Sequence, residues 1–408
     1  MSQLINKTHC LDSIRSFLYG LLEAGWQTFA FIVAIRYFQA ETHFKSLIAA
    51  AGPIGFLLTP LSLYFFANRQ ILASSAASLI YLLTALFLLA SVSVNSLFIF
   101  GTFIILSLII NVQKGPVLLD IYTTNYPPNQ RGHYMKYPNI LSAVSAILFG
   151  FIGGKFLDAD IENYTLVFVV MAIVAFAAGI IVKAIPSEPF SRNNIGNPFQ
   201  IFSLVWKDKL FGSMLGAWMI LGIGNLICLP IRYEYLANPT YGLDINNTQI
   251  ALIMIAIPAV TKILSTFLWA NLFDKLKLIT TRNLNNWFFL LSVILFFLSD
   301  SLILISIASA CQGIALGGGK IFWNLWVTKI ASPKKVSSYM SVHMALTGVR
   351  GSFAPFLGYA ILVSGSPLTV AIIGSILILI SILMFEQYKN HPRLANNCLL
   401  YTSDAADE

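Results

Sequence analysis

The stretch "PNQRGHYMKYPNILSAVSAILFGFIGG", residues 128–154, returns in altered form later in the chain. At a constant offset of 205 residues it corresponds to "PKKVSSYMSVHMALTGVRGSFAPFLGY", residues 333–359. The coincident pairs are Pro128/Pro333, Tyr134/Tyr339, Met135/Met340, Leu141/Leu346, Val144/Val349, Phe151/Phe356 and Gly153/Gly358. Apolar bias produces chance matches between apolar residues, but a loop proline followed by a Tyr-Met pair is harder to obtain by chance. The repeat therefore predicts two related halves.

Composition places both halves in a membrane. Of 408 residues, 57% are hydrophobic and 10% charged, against roughly a quarter charged in soluble domains. A membrane-spanning helix needs about 20 mostly apolar residues. Such runs occur at 17–35, 46–66, 72–91, 97–120, 139–154, 164–182, 211–231, 249–270, 286–299, 302–327, 342–363 and 367–385. The sequence predicts an all-α polytopic membrane protein of twelve spans, the first being a mature anchor rather than a signal peptide.

The longest polar connection divides the spans six to six. Residues 186–210 form a linker with the amphipathic segment "FQIFSLVWKDKLF", between an N-terminal half, 1–185, and a C-terminal half, 211–390. Such a segment can lie on the membrane surface. A tail, 391–408, follows, and its end "CLLYTSDAADE", 398–408, resembles the translation of a sequencing adaptor, so we exclude it from the fold.

Lysine and arginine indicate the orientation, because short loops rich in them stay on the cytoplasmic side. With the N-terminus inside, the inner segments hold 17 cations and the outer loops only Arg36, Lys45, Lys155 and Arg232. We expect both termini in the cytoplasm and a multi-pass protein of the inner, cytoplasmic membrane. The net charge of +8 follows from this bias without nucleic-acid binding. The four cysteines lack CxxC or metal spacing, so we expect no disulfide, metal or cofactor.

Twelve spans, a 6+6 division, a polar linker and duplicated halves resemble the major facilitator superfamily of secondary transporters. The loop "WANLFDKLKLITTR" after span 8 is similar to the family's G-x-L-x-D-R-x-G-R-R loop, with Asp274 and Lys275 at its Asp-Arg positions. "YPPNQRGHYM" resembles its Arg-Gly loop and contains Arg131, whereas the loop after span 2, "PLSLYFFANRQ", lacks an acidic residue. The resemblance implies a monomer that alternates access to a midplane site lined by spans 1, 4, 7 and 10, with gating contacts at these loops.

Spans 1 and 10 carry similar polar triplets of opposite charge. Glu23, Trp26 and Gln27 have i, i+3, i+4 spacing, which places them on one helical face. Lys320, Trp323 and Asn324 repeat the spacing in span 10. Ionisable groups in hydrocarbon usually face a partner or a water-filled cavity, so both triplets are candidates for solute binding. Packing is the alternative for the tryptophans.

Counting residues from the span ends puts Glu23, Lys114 and Lys320 in one layer of the membrane. Their functional interpretation is a substrate and proton site, with Asn111 on the same face as Lys114. The alternative is a static pair of Glu23 with Lys114 that helps the helices pack.

Spans 7 and 11 add further candidates. Trp218 and Asn225 share a face of span 7 and could stack on or hydrogen-bond a ligand, although "GIGN" equally suits close helix approach. In "TGVRGSFAP", Arg350 is expected to be structural or gating, with anion binding as the alternative. We expect His343 to be a capping or solvated residue rather than a pH sensor.

The glycines of "CQGIALGGGKIFWNLW", residues 311–326, do not form a Walker A loop, because Ile314 and Ile321 occupy required positions. They predict bending or close approach in span 10.

We expect a secondary transporter of a small organic solute, coupled to protons. The negative charges of Glu23 and Asp120 against the positive charges of Lys114, Lys320 and Arg350 leave a positive balance in the cavity. This balance favours an anionic or zwitterionic solute. Sugar transport and drug efflux come next. An enzyme is disfavoured because HxxxH, DxxD and GxSxG are absent, and a sensor because no large soluble domain is present.

Overall fold

The computed structural model describes residues 2–127, 130–190, 202–331 and 336–395. Within them, long helices dominate and the only strand-like feature is one bridge between Leu72 and Pro189. The long helices are α1 (Gln3–Tyr37), α2 (Thr42–Asn68), α3 (Ala73–Ser91), α4 (Leu97–Asn125), α5 (Arg131–Ala159), α6 (Ile161–Lys183), α7 (Lys209–Ala237), α8 (Asn247–Lys275), α9 (Leu278–Phe297), α10 (Leu302–Leu325), α11 (Val336–Ser364) and α12 (Pro367–Glu386). The all-α fold class is thus confirmed.

Each predicted span coincides with one helix, and in the described residues eleven of the helices are long and apolar enough to cross a membrane. The remaining helix, α9, begins at Leu278, so the predicted start at residue 286 was wrong. Its first turns contain Thr281, Arg282 and Asn283, which hydropathy assigns to a loop but the structure buries against neighbouring helices.

The sequence repeat is visible in the helix boundaries. Four helix starts in the N-terminal half recur at the same 205-residue spacing in the C-terminal half. These pairs are Thr42/Asn247, Ala73/Leu278, Leu97/Leu302 and Arg131/Val336. Helices α5 and α11, which contain the repeated stretch, are both 29 residues long. Pro128, Pro333 and the segments 191–201 and 396–408 of the predicted linker and tail lie outside the described residues.

Two helices that the sequence assigns to the site are irregular. Helix α1 contains wider π-helical turns at Gly25–Phe29 and Val33–Tyr37, and such turns shift the side chains that follow. Helix α4 is interrupted at Gln113, just before Pro116, because a proline cannot donate the next helical hydrogen bond and crowds the preceding turn. Both irregularities lie beside predicted site residues.

Within the described residues the halves meet mainly along α2 with α11 and α5 with α8, and α7 adds contacts to α1 and α2. We call the side with the α1–α2 and α7–α8 connections the outer side, and the side with the described chain ends the terminal side. One apolar core contains residues of both halves, whereas a second core, around Phe211, Trp218 and Trp326, contains only residues of the C-terminal half.

The glycines of α10 serve close packing. A Cβ atom on Gly317 would lie 2.4 Å from Ser265 Oγ of α8, and one on Gly318 would lie 2.2 Å from Asn285 Oδ1 of α9. The helix is continuous from Leu302 to Leu325. Of the two predicted roles, bending and close approach, this structure displays the second.

Candidate functional site

A carboxylate and an amide from α1 form the centre of the candidate site. Glu23 is half-buried and Gln27 exposed, although most of α1 is buried. Gln27 Nε2 donates a hydrogen bond of 3.2 Å to Glu23 Oε1. The i, i+4 part of the predicted α1 face is therefore present.

Trp26 does not share that face. It is 5% exposed, and its indole Nε1 donates to Ser107 Oγ of α4 at 3.1 Å. The π-helical turn Gly25–Phe29 accounts for the separation, since it departs from the regular spacing on which the prediction depended. In this structure Trp26 packs the N-terminal half rather than lining an accessible surface.

Lys114 lies at the break in α4 and is buried within the N-terminal half. Its Nζ donates to the backbone oxygen of Asn111 at 3.1 Å and also to Asn111 Oδ1, and it lies 4.0 Å from the ring centroid of Tyr19. Asn111 is thus a direct partner of Lys114, as their shared face suggests.

Glu23 lies near one lysine of each half. Its charge acts on Lys114 of its own half and on Lys320 of α10 in the other half. Within the described residues, the ion pairs closer than 4.0 Å do not include one between Glu23 and Lys114. Lys320 is exposed, and the charge of Lys262 also acts on it. The structure therefore groups Glu23, Gln27, Lys114 and Lys320, and we call these residues the polar layer.

The candidate residues in spans 7 and 10 differ in how far they are exposed. Trp218 is 4% exposed, and Trp323, which is half-buried, contacts the ring of His343 at a centroid distance of 5.4 Å. Asn225 is half-buried, and its buried Oδ1 atom has no hydrogen-bond partner within the described residues. The side chain of Asn324 lies outside the described part of the chain.

Arg350 lies between α11 and α7. Its NH1 group donates to the backbone oxygen of Trp218, and a Cβ atom on Gly222 would lie 2.1 Å from its Cζ atom. Gly222 therefore makes room for the guanidinium group. His343 is completely buried and contacts three tryptophan rings, so the expectation of a solvated or capping histidine was wrong.

The predicted gating residues face the terminal side. Arg131 opens α5 and donates to the backbone oxygens of Thr123, at 2.7 Å, and Tyr126, at 3.4 Å, which fixes the α4–α5 connection. Asp274 and Lys275 are exposed in the last turn of α8. Their gating role stays a prediction.

The outer side holds a charged contact that the sequence did not reveal. Lys45 Nζ of α2 lies 2.6 Å from Glu234 Oε1 of α7, with side-chain exposures of 7% and 0%. Tyr359 of α11 donates to the same oxygen at 3.1 Å, and Asn238 donates to Oε2 at 2.9 Å. Lys45 and Arg232, predicted to lie in outer loops, are buried in helices, because α2 and α7 extend further outward than their apolar runs.

Two more polar contacts close the outer side. Arg36 of α1 donates to Ala237 O at 3.1 Å and to Asp244 Oδ1 at 2.9 Å. Asp158 of α5 accepts from the backbone nitrogens of Asn247 at 2.6 Å and Thr248 at 3.1 Å. A carboxylate at the start of α8 is favourable because its first N–H groups have no helical partners. Sequence alone offers no pairing signal between such distant charges.

Comparison with known families supports the architecture. The profile of the Major Facilitator Superfamily matches residues 234–397, and solved transporters match nearly the whole chain in structure. The C-terminal part of the chain therefore resembles the major facilitator superfamily, and the whole chain has the fold of these solved transporters. Comparison with curated protein sequences found no match.

Several solved structures resemble this chain. The nucleoside transporter NupG, in a point-mutant form, has a TM-score of 0.77 at 14% identity, covering 94% of this chain and 99% of NupG. A POT family transporter in complex with 5-aminolevulinic acid gives 0.73 at 13% identity, covering 94% and 96%. A bacterial homologue of the lysosomal transporter Spinster, inward-facing and unoccupied, gives 0.66 at 14%, covering 95% of each chain. At these identities the likeness establishes the fold alone.

Proposed function

We propose that this protein is a secondary active transporter of a small organic solute, with an anion or zwitterion as the preferred class. The observation that carries the proposal is the position of Glu23, whose charge acts on one lysine in each half. A site shared by two halves changes its exposure when the halves rock. Two lysines against one carboxylate leave a net positive charge for an anionic group of the solute.

In the proposed cycle, solute and Glu23 compete for the lysines. An entering carboxylate or other anionic group pairs with Lys320 and releases Glu23, which then takes up a proton. Protonation removes a buried negative charge and so lowers its desolvation cost. Coupling to a proton gradient follows, because solute arrival and proton uptake occur at one site.

The outer contacts supply the second element of the cycle. Lys45, Glu234, Arg36 and Asp158 hold the halves together on the outer side. Opening that side requires separating a buried ion pair, which is costly unless the two charges find other partners or water. We infer that the terminal side is cytoplasmic, since the predicted inner segments hold most of the lysines and arginines.

The test is solute uptake into proteoliposomes that contain the purified full chain. The panel should contain amino acids, short peptides, 5-aminolevulinic acid, di- and tricarboxylates, nucleosides and pentoses, each with and without an imposed proton gradient. We expect gradient-dependent movement of a carboxylate-bearing solute. Movement of pentoses alone would replace the anion preference by sugar transport. If no solute moved while the protein remained folded, the proposal would fail.

Glu23→Gln tests the polar layer itself. The amide keeps the hydrogen-bonding shape but cannot exchange a proton, so gradient-driven uptake should fall at least about tenfold while exchange of solute across equal pH persists. Glu162→Gln, at an exposed carboxylate after α5, is the matched control and should transport like the parent protein. Unchanged pH dependence in Glu23→Gln would remove Glu23 from the coupling mechanism.

A further inference from the structure

Three cationic or titratable side chains converge on Trp218, away from the polar layer. The Cζ atom of Arg282 lies 3.6 Å from the Trp218 ring centroid, Arg350 donates to the Trp218 backbone oxygen, and the His343 ring lies 5.2 Å away. We propose that a compact anion binds inside the C-terminal half, between the guanidinium groups of Arg282 and Arg350 and beside His343.

All three residues are buried inside one half. Their exposures are 2% for Arg282, 7% for Arg350 and 0% for His343. Arg282 comes from α9, and the other two come from α11, with Trp218 of α7 between these helices. Arg282 lies only four residues after the start of α9, yet it does not extend to the surface as arginines near helix ends usually do.

Six polar atoms of these residues have no hydrogen-bond partner within the described residues. Within the described residues, no hydrogen bond reaches Nε, NH1 or NH2 of Arg282, Nε of Arg350, or either ring nitrogen of His343. Buried polar groups are normally hydrogen-bonded, and each exception requires an explanation. At least five of these six atoms around one tryptophan are N–H donors. The unpaired amide oxygens of Asn285 and Asn286 on α9 carry no charge, so the group lacks a charged acceptor.

The carboxylates of the described C-terminal half are all engaged elsewhere or exposed. Asp208 bonds to Arg393, Glu234 to Lys45, Asp244 to Arg36, Asp300 to Tyr235 and Glu386 to Lys389, while Asp274 is exposed. No carboxylate of this described region is therefore available to neutralise Arg282 or Arg350.

Stacking on aromatic rings does not replace a counter-ion. A desolvated cation–π contact offsets only part of the free-energy cost of burying an unpaired ion. Arginine keeps its charge, so deprotonation offers no escape. The N-terminal half shows the usual solution: Arg15 bonds to Asp12 at 2.7 Å and to Tyr81 at 2.9 Å.

The ligand chemistry follows from the donors. Two guanidinium groups and an imidazole present N–H donors to a single acceptor, which suits chloride, phosphate or a carboxylate group. Packing against Trp218 and Gly222 restricts the size to a compact group. Binding to this site does not depend on transport, so it can be tested even if the proposed function fails.

The experiment measures thermal unfolding of the purified full chain in an uncharged detergent. Sodium chloride, sodium phosphate and sodium acetate are each titrated at constant ionic strength against the bulky sulfonate buffer HEPES. A ligand that binds only the folded state raises the unfolding temperature in a saturable way. We expect such a rise with at least one compact anion, together with a change in tryptophan fluorescence from Trp218.

Arg282→Gln and Arg350→Gln should each abolish the saturable rise. In HEPES alone, Arg282→Gln should unfold at or above the temperature of the parent protein, because an uncompensated charge has been removed. Arg232→Gln is the matched control: that arginine is equally buried in the same half but bonds Ser292 at 2.9 Å, and the response should persist.

Two arms identify the source of the anion. A response to chloride or phosphate indicates an inorganic ion, whereas a response to acetate and larger carboxylates alone indicates the acid group of a solute, and both support the site. The proposal is overturned if none of the salts acts on the parent protein, or if Arg282→Gln and Arg350→Gln retain the full response. If Arg282→Gln does not fold, Arg350→Gln decides.

Discussion

At the scale of single residues, the described part of the chain buries six lysines and arginines. Arg15, Lys45, Lys114, Arg232, Arg282 and Arg350 are all less than 9% exposed. Lys45 is compensated by a carboxylate from the other half, which makes Glu234 the residue on which the outer contact depends most.

Glu234→Gln should therefore destabilise the protein strongly. Removing one partner of a buried ion pair typically costs about 3–5 kcal/mol, because the other charge stays buried and unpaired. Thermal unfolding in detergent measures the effect, and the double variant Lys45→Met/Glu234→Gln should recover much of the loss. Lys389→Gln, which breaks an exposed pair with Glu386, is the control and should change stability little. If Glu234→Gln and Lys389→Gln lowered the unfolding temperature equally, the role of Glu234 would be contradicted.

At the scale of helices, glycines determine how closely the two halves approach. In α5, Gly150 and Gly154 face α8, and a Cβ atom on Gly154 would lie 2.8 Å from the Thr248 Cα atom. Small residues four apart on one helix allow such backbone contact in membranes. The α5–α8 pair is thus held by shape as well as by Asp158.

Gly154→Val should force α5 and α8 apart. Overpacking of this kind typically lowers the free energy of unfolding by about 1–3 kcal/mol. Here it strains the contact between the two halves on the outer side rather than the packing within one half. Unfolding temperature and uptake of the identified solute should both fall. Gly132→Ala, in the same helix with no atom within 4 Å of the added methyl, is the control and should be neutral or stabilising. A stable, fully active Gly154→Val would rule out a tight α5–α8 contact.

The end of the described chain is fixed to the start of α7 by one carboxylate. Arg393 donates to both oxygens of Asp208 at 3.0 and 2.9 Å, and Tyr339 donates at 2.8 Å. Burial acts to raise the pKa of Asp208, but hydrogen bonds from Arg393, the Phe211 backbone and Tyr339 outweigh it, so the pKa is lowered.

This contact should weaken in acid. Because the folded pKa is below the unfolded value of about 3.9, its contribution is complete above that value and disappears as the pH falls through the folded pKa. Proteolysis of the chain end, followed between pH 7 and pH 3, should accelerate only below about pH 4. Asp208→Asn should be cleaved rapidly at every pH, and a parent protein with constant cleavage across this range would contradict the assignment.

At the scale of the whole molecule, the hydrogen bonds observed between the halves are concentrated on the outer side. Arg36 provides several of them, including one to Ile245 O at 2.5 Å. The described structure is therefore closed on the outer side by polar contacts, while the polar layer lies further toward the terminal side.

Arg36→Gln should increase the fraction of molecules in which the two halves are separated on the outer side. Spin labels at positions 160 and 240, in exposed loops of opposite halves, report the distance between them. We expect a longer component in Arg36→Gln that is weak in the parent protein. Lys155→Gln is the control, because Lys155 lies 4.5 Å from the Phe151 ring centroid within its own half. An unchanged distance distribution in Arg36→Gln would show that its hydrogen bonds do not hold the outer side closed.

Sequence patterns predicted the fold well. The spans follow from runs of neighbouring apolar residues, and the two halves follow from a repeat that the sequence itself displays. The joint site of Glu23, Lys114 and Lys320 stays a prediction. The failures have physical causes: the π-helical turn moves Trp26 off the face of Glu23, and polar Arg282 is buried despite its low hydropathy. Glu234 and Lys45 are far apart in sequence, and their pairing depends on tertiary contact.

The two cross-half contacts α2–α11 and α5–α8 are equivalent under the repeat. The repeat relates α2 to α8 and α5 to α11, so exchanging the halves converts one contact into the other. This is the self-complementary geometry of a two-fold dimer. One adhesive surface is therefore enough to join two copies of such a six-helix half.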